Sequence, residues 1–288
     1  MTAFLGDICS VLKLRIGAAI ALTAVAGLAV TPGPAVPAWK VLLLAAAVLA
    51  ASASAGAFNQ YVERGTDGLM RRTRDRPFVR GAFRAGPRWI AAIALLLVAG
   101  VGAAAAGLGL TAALHVFLGA FFYGVVYTVW LKRRTVLNIV IGGLAGSFAV
   151  LAGAATVDPI PGPVPLLFAL TLFLWTPPHF WSLAMGVEED YAAAGVPMLP
   201  VVVGDAAASW IILGHTAALV AASLLPAFLG LGPLYGIAAA AGGGYFLWKS
   251  VALVRAPTRG AAMANFRASL VQLSLLLAGA GAAAWSTP

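Results

Sequence analysis

Apolar residues in this chain come in long blocks, separated by short stretches that carry most of the charges and the proline-rich turns. A helix of about 20 apolar residues crosses the hydrocarbon core of a bilayer. Counting such runs between charge or proline breaks gives nine candidate spans, at residues 12–31, 39–62, 88–108, 110–131, 136–156, 164–186, 207–229, 232–253 and 264–286. Prolines and glycines mark the turns, in TPGPAVP at 31–37, DPIPGPVP at 158–165, Gly230 to Pro233, and Pro257. The runs at 88–131 and 207–253 are each long enough for two spans and divide at Gly107-Leu108-Gly109 and Gly230-Leu231-Gly232-Pro233. The pattern therefore predicts an all-α polytopic membrane protein, a bundle of nine transmembrane helices with residues 1–288 forming one integral-membrane domain. Glycines such as Gly100, Gly102, Gly142, Gly143 and Gly146 are read as packing residues, because small side chains let membrane helices approach closely.

Composition supports this reading. The chain is 62% hydrophobic and 9% charged with a mean hydropathy of +0.97, whereas about a quarter of the residues of a soluble domain are charged. Net charge is +9, but the lysines and arginines gather between the apolar blocks, so membrane topology explains them and nucleic acid is not an expected partner. With the N-terminus inside, Lys13, Arg15, the 63–88 loop, Lys132 to Arg134, Lys249, Arg255, Arg259 and Arg267 all fall in the cytoplasm, and Lys40 falls outside. Nine spans then put the C-terminus outside. The N-terminus reads neither as a cleaved signal nor as a transit peptide, so the first span is expected to be retained, in a bacterial plasma membrane. Cys9 is the only cysteine, which excludes an intramolecular disulfide and a cysteine-rich metal site.

Acidic residues break the anchor pattern. The loop after the second span opens with NQYVERGTDGLMRRTRDRP at 59–77, and the loop after the sixth holds Glu188, Glu189, Asp190 and Asp205. Asn59, Glu63 and Asp67 lie at i, i+4 and i+8, one face of a helix leaving the membrane. Hard oxygen donors of this kind suit Mg²⁺, which is usually held by one or two carboxylates together with substrate phosphates. Arg71, Arg72, Arg74 and Arg76 follow, and guanidinium groups bind phosphate oxygens bidentately. Carboxylates and arginines so close together point to a diphosphate bridged by Mg²⁺, against the plainer reading of a positive-inside anchor. A second cluster, YTVWLKRRTVLN at 127–138, reads mostly as an interfacial anchor. Its Asn138 is either a helix cap or a ligand contact. Asp158, beside two prolines, reads as a solvated turn residue. A third cluster, WTPPHFW at 175–181, places Pro177 and Pro178 inside the sixth span, where they should kink it, with His179 at depth. An ionisable residue there is a functional candidate, and its alternative is an interhelical hydrogen bond. His115 and His215 take that structural reading.

Three motifs in order carry a resemblance. The arrangement N-x₃-E-x₃-D-x₂-M-x-R-T-x₂-R-P from Asn59 to Pro77, the segment YTVWLKRRTVLNIVIGGLAG at 127–146, and WTPPHFW with DYAAAGVPMLPVVVG at 175–204 resemble the UbiA-type intramembrane prenyltransferases, in the form met in the protohaem IX farnesyltransferase family. The resemblance implies a nine-helix bundle around a central cavity open to the cytoplasmic side, and transfer of farnesyl from farnesyl diphosphate to a vinyl group of haem B, with water added. It implies Mg²⁺ as cofactor, held by Asn59, Glu63, Asp67 and Asp190. Asp67, Asp190 and Lys132 would be catalytic; Arg72, Arg76, Lys13, Arg15 and Asn138 would bind diphosphate; His179 would face the haem. Phe121, Phe122, Tyr123, Trp175 and Phe180 could offer π-faces to an allylic cation, the alternative being packing or interfacial anchoring. Membrane lipid and a haem-biosynthesis or oxidase-assembly protein are the implied partners. The rival readings are a prenyltransferase of the same fold with a quinone-type acceptor, and a transporter of an anionic lipid-like substrate.

Overall fold

The computed structural model describes residues 2–286, and every regular element among them is helical. Helices α1 (Thr2–Val11) and α2 (Leu14–Ala29) meet at a 46° bend. Then come α3 (Ala38–Asp67), α4 (Pro87–Gly107) and α5 (Leu110–Phe121), and α5 continues as a π-helix over Phe122–Leu131. A short α6 (Asn138–Gly142) leads to α7 (Leu144–Val157) and α8 (Pro163–Gly186). Two short helices, α9 (Glu188–Ala193) and α10 (Leu199–Val203), precede α11 (Asp205–Pro226), α12 (Gly232–Arg255) and α13 (Arg259–Ser286).

Seven of these helical stretches are long and apolar enough to cross a membrane, or eight if the bent pair α1 and α2 counts as one span. The nine blocks read from the sequence differ from this count because Asp205–Arg255 is one run of 51 residues. That run leaves helical geometry at Leu229 and Gly230, and its halves α11 and α12 pack on each other. Gly230 has φ 122°, a left-handed value that a Cβ disfavours, so glycine lets the chain reverse here. Pro177 and Pro178 do not interrupt α8, which is helical from Pro163 to Gly186. Two adjacent prolines remove two consecutive donors, and flanking helices and hydroxyl groups can satisfy what is freed.

The interior divides into two packed sets. One core joins α2, α3, α4, α5 and α7 through small residues such as Ala24, Ala51, Ala112 and Ala152. The other joins α8, α11, α12 and α13 around Phe168, Trp175, Leu219, Tyr235 and Phe246, and meets the first through Ala26 of α2 and Val150 of α7. Within the first set α2 and α7 touch backbone to backbone. A Cβ placed on Gly153 would lie 1.9 Å from the Ala24 carbonyl oxygen, and one on Gly27 would lie 2.2 Å from that of Val150. Without a hydrophobic force between helices in lipid, such close contact is what dispersion and packing require.

Overpacking of this crossing is therefore expected to be costly. Gly153→Ala should destabilise the bundle by about 1–3 kcal/mol or more, read as a lower melting temperature of the purified protein by size-exclusion after heating. A melting temperature equal to that of the unchanged protein would mean that the α2–α7 approach is not fixed by these glycines.

Candidate active site

The polar column on α3 is buried, with Asn59, Glu63 and Asp67 each 3% exposed or less. It faces the π-helix. Asn59 donates from Nδ2 to Thr128 Oγ1 at 3.0 Å, and Glu63 accepts from Lys132 Nζ at 2.5 Å. Both contacts join residues 69 apart, so the two elements run parallel in one register. The wide turn of a π-helix makes this register workable, because its hydrogen bonds run from i to i−5. Lys132 N donates to the Tyr127 carbonyl and Thr128 Oγ1 to that of Tyr123. Lys13 enters from the bend between α1 and α2, where its own φ of 48° is the one positive value at a non-glycine residue among those described. Its ammonium donates to Asn59 Oδ1 at 2.6 Å and to the Tyr123 hydroxyl at 2.8 Å, and its stem lies against Gly56. Asp67 Oδ2 accepts from Arg76 at 2.6 Å. The charges of Lys13, Glu63, Asp67, Arg72 and Arg76 thus act on one another in a single cluster.

The loop after α8 docks on the loop after α3. Asp190 accepts from the Arg72 backbone N–H at 3.1 Å and from Arg71 Nε at 3.3 Å. Glu189 bridges Arg71 and Arg259, and the Arg72 guanidinium donates to the Tyr191 hydroxyl at 3.3 Å. Burial opposes the charge on Asp190, but the Arg72 N–H and the Arg71 guanidinium outweigh it and hold the carboxyl below its ordinary range. The exposed Glu189 is likewise lowered by Arg259 and Arg71. Arg71, Arg72, Gly186, Glu189, Asp190 and Arg259 line a cavity of about 440 Å³. Neither Glu188 nor Asp205 makes an ion pair among the described residues.

An apolar cleft lies on the other side of the tyrosines. Tyr123 and Tyr127 stack with centroids 5.8 Å apart, Lys13 sits over one ring at 5.4 Å and Lys132 over the other at 5.8 Å. The two rings line the cleft with Ile139, Gly142, Thr176 and Phe180. Tyr123 therefore has its hydroxyl in the charged cluster and its ring on the apolar side.

Several expected residues sit elsewhere. Arg15 is exposed and makes no ion pair among the described residues, because a bend at Lys13 turns one basic residue of the pair inward and leaves its neighbour on the outer surface. Asn138 does not cap a helix. It is the first residue of α6, donates from Nδ2 to the Lys132 carbonyl at 3.2 Å, and leaves Oδ1 buried without a partner. His179 is buried, stacked on Trp175 at 4.1 Å and bonded through Nδ1 to Ser269 on α13 at 2.7 Å, which is the interhelical bond of its structural alternative. His215 bonds instead to the Ile211 carbonyl of its own helix, and His115 Nδ1 is buried with no hydrogen-bond partner. Of the aromatic pool, Phe121 is exposed and Phe122 packs on Phe148.

Residues 20–276 match the model of the UbiA prenyltransferase family. The chain is 61% identical over 277 residues to protoheme IX farnesyltransferase 2 of Paramagnetospirillum magneticum, covering 96% of each chain. It is 50% identical over 266 residues to protoheme IX farnesyltransferase 1 of the same organism, covering 92% of this chain and 93% of the other. It belongs to the UbiA prenyltransferase family. The fold agrees: a structure of a digeranylgeranylglyceryl phosphate synthase superposes with a TM-score of 0.81 at 17% identity, covering 98% of this chain and 99% of that one. A UbiA homologue from Archaeoglobus fulgidus bound to DMAPP and Mg²⁺ gives 0.73 at 15% identity over 98% and 100%.

This UbiA chain is thus a multi-pass membrane prenyltransferase. Sequence reasoning missed Thr128, Tyr127 as a ring of the cleft, and Tyr191 at the loop junction. Lys132 is among the residues named from the sequence, and Thr128 lies four residues before it, the same spacing that separates Asn59 from Glu63.

Two outcomes follow from this geometry. Lys132→Met strands Glu63 in a buried site and should destabilise by about 3–5 kcal/mol, while Lys132→Met with Glu63→Leu should restore most of it. Thermal unfolding of the four proteins of the cycle measures this, and additive losses would mean the pair is not coupled. For Asp190, whose folded carboxyl is lowered, the docking contribution is complete above the ordinary value and lost as pH falls through the lowered one. Proteolysis of the 68–86 loop should stay slow at pH 5 and quicken only below about pH 4, whereas Asp190→Asn should be cut quickly at both. Equal rates in the two proteins at pH 5 would count against the docking.

Proposed function

We propose that this chain transfers a farnesyl group from farnesyl diphosphate to a vinyl group of haem B, adds water, and releases haem O and diphosphate. The names carried by the relatives at 61% and 50% identity favour haem as acceptor over a quinone-type ring. The observation that carries the chemistry is Tyr123, with the Lys13 ammonium of the charged cluster on its hydroxyl and an apolar cleft on its ring.

Leaving diphosphate carries several negative charges, and Lys13, Arg72, Arg76 and Lys132 would neutralise them as the C–O bond ionises. The allylic cation then faces the rings of Tyr123, Tyr127 and Phe180 in a cleft with almost no competing nucleophile. Asn59, Glu63, Asp67 and Asp190 are the residues that would hold Mg²⁺. They fit a hard cation in one respect that does not depend on the family: Asp67 Oδ1 is buried and has no hydrogen-bond partner. Among the described residues no three His, Cys, Asp or Glu converge as a closed metal site, so substrate oxygens would complete the coordination. When bound, Mg²⁺ would supply Lewis-acid neutralisation of the diphosphate oxygens.

In the membrane we read nine crossings, with α11 and α12 as separate spans and the bent α1–α2 as the first. The N-terminus is then cytoplasmic, the C-terminus outside, and both acidic loops with the mouth of the central cavity face the cytoplasm of a bacterial cell. Residues 1–288 form a single prenyltransferase domain.

Membranes containing the protein, given Mg²⁺, farnesyl diphosphate and haem B, should yield a product with the mass of hydroxyethylfarnesyl haem. Its absence from active membranes would overturn the reading. Asp67→Asn and Asp190→Asn should each lower turnover by about 10²- to 10³-fold while insertion is unchanged. Cysteines at 68 and 192 should label from the cytoplasmic side and one at 160 from the outside; labelling of the first two from opposite faces contradicts a shared site.

A further inference from the structure

The loop after α3 is held by rings on the side away from Asp190. Phe78 is 7% exposed, and it meets Tyr61 of α3 at 5.7 Å, Trp89 of α4 at 5.0 Å and Phe83 of its own loop at 6.2 Å, each edge to face. Phe83 packs in turn on Trp89 and on Phe4 of α1. Rings in this arrangement attract one another beyond what their buried area supplies. The apolar contact around Phe78 extends to Val11 and Leu12 at the end of α1, to Ala57 of α3 and to Ile93 of α4. One aromatic plug therefore fills the corner where α1, α3, α4 and the 68–86 loop meet. Polar bonds at its edge tie the same parts together: Arg80 pairs with Asp7 of α1, and Gln60 Nε2 of α3 donates to the Ser10 carbonyl at 2.7 Å.

Two cations of the charged cluster leave this plug directly along the chain. Lys13 follows Leu12, and its ammonium reaches Asn59. Arg76 stands two residues before Phe78, with Pro77 between them to fix one backbone torsion, and its guanidinium reaches Asp67. The Arg76 carbonyl accepts from the N–H groups of Val79 at 2.9 Å and Arg80 at 3.0 Å, so one hydrogen-bonded turn carries both the guanidinium and the buried ring. Thr73 Oγ1 donates to the Asp67 carbonyl at 2.8 Å, which ties the start of that turn to the end of α3. Lysine and arginine side chains lose much rotamer freedom when they are held in one place. Two of them meet one polar column here because the backbone behind each is already fixed by apolar packing.

We propose that Phe78 is a positioning residue for the diphosphate: it fixes the backbone at Arg76 and, through Leu12, at Lys13, so that both cations stand on the Asn59 to Asp67 face before the substrate arrives. The inference rests on the diphosphate role given to Lys13 and Arg76 above. Phe78 lies outside the charged cluster and touches no reacting group. It acts by ordering in advance a loop whose ordering would otherwise oppose binding. Asp190 holds the same loop at Arg71 and Arg72, so the stretch that carries Arg72 and Arg76 is pinned at both ends, by a carboxylate at one and by rings at the other.

Calorimetric binding of farnesyl diphosphate with Mg²⁺ to the purified protein, without acceptor, tests this apart from turnover. Phe78→Ala should weaken binding by about tenfold or more, the scale of one lost hydrogen bond to a charged group. Phe78→Leu keeps a smaller apolar plug, spares folding and should shift binding the same way by less. Phe246→Leu alters an equally buried ring in the other helix set and should bind as the unaltered protein does. In an Arg76→Lys background the loss from Phe78→Ala should shrink, because both changes act on one group. An unchanged dissociation constant in both Phe78 variants, an equal loss in Phe246→Leu, or losses that add across the cycle overturns the positioning role. Hydrogen exchange reads the anchoring without ligand: the amides of Arg76, Val79 and Arg80, bonded within the loop, should exchange faster in Phe78→Leu. Unchanged exchange overturns the anchoring. Faster exchange, together with an Arg76→Lys protein that binds as tightly as the unaltered one, overturns the diphosphate reading of Arg76 and keeps the anchoring.

Discussion

Charge neutralisation in a buried place governs this molecule. An isolated carboxylate inside a membrane bundle is strongly unfavourable, and breaking a buried pair leaves a cost of several kcal/mol. Glu63 and Asp67 are each met by one cation, Lys132 and Arg76. Meeting that demand sets the local backbone. The segment after α5 widens into a π-helix, so that Thr128 and Lys132 follow Asn59 and Glu63 in step. The chain between α1 and α2 takes a left-handed residue, so that Lys13 turns into the cluster. A π-helix and a positive φ at lysine are both unfavourable in isolation, and both occur where a buried polar group on α3 needs a partner.

Much of this was legible in the sequence because its spacing is that of an ordinary helix. Asn59, Glu63 and Asp67 are four apart, and four residues is close to one helical turn. The meeting of the two acidic loops followed from counting spans, and the contacts of Asp190 with Arg71 and Arg72 join the same two stretches. What was not legible depends on geometry that spacing does not encode. The i to i−5 turn of the π-helix hides Thr128 and Tyr127 from any count by 3.6. Lys13 and Arg15 look alike as letters, and only the bend between α1 and α2 decides which turns inward. Asn138 occupies a plausible cap position, yet its amide is drawn to the carbonyl of Lys132. The proline pair predicts a kink in the sixth span, and α8 is nevertheless helical from Pro163 through Gly186.

The two helix sets also differ in how they are held. Backbone contact through Gly27 and Gly153 fixes the first, where side chains are small and rotamer entropy is low. Larger rings and a hydroxyl and amide seam fill the second. The charged cluster grows from the first set and the imidazole from the second, and α6 with α8 brings the cleft between them.

The outer face of the loop junction is held by weaker bonds than the interior. Arg71, Glu189 and Arg259 form a chain of ion pairs whose side chains are 58–68% exposed, and pairs of that kind contribute little and fade with salt. The interior pairs are shielded from such screening. Any anion that approaches this face competes with Glu189 for two guanidinium groups held only by exposed pairs. Ionic strength then acts on these outer pairs and leaves the buried ones alone, so salt loosens the junction of the two loops without reaching the charges beneath it.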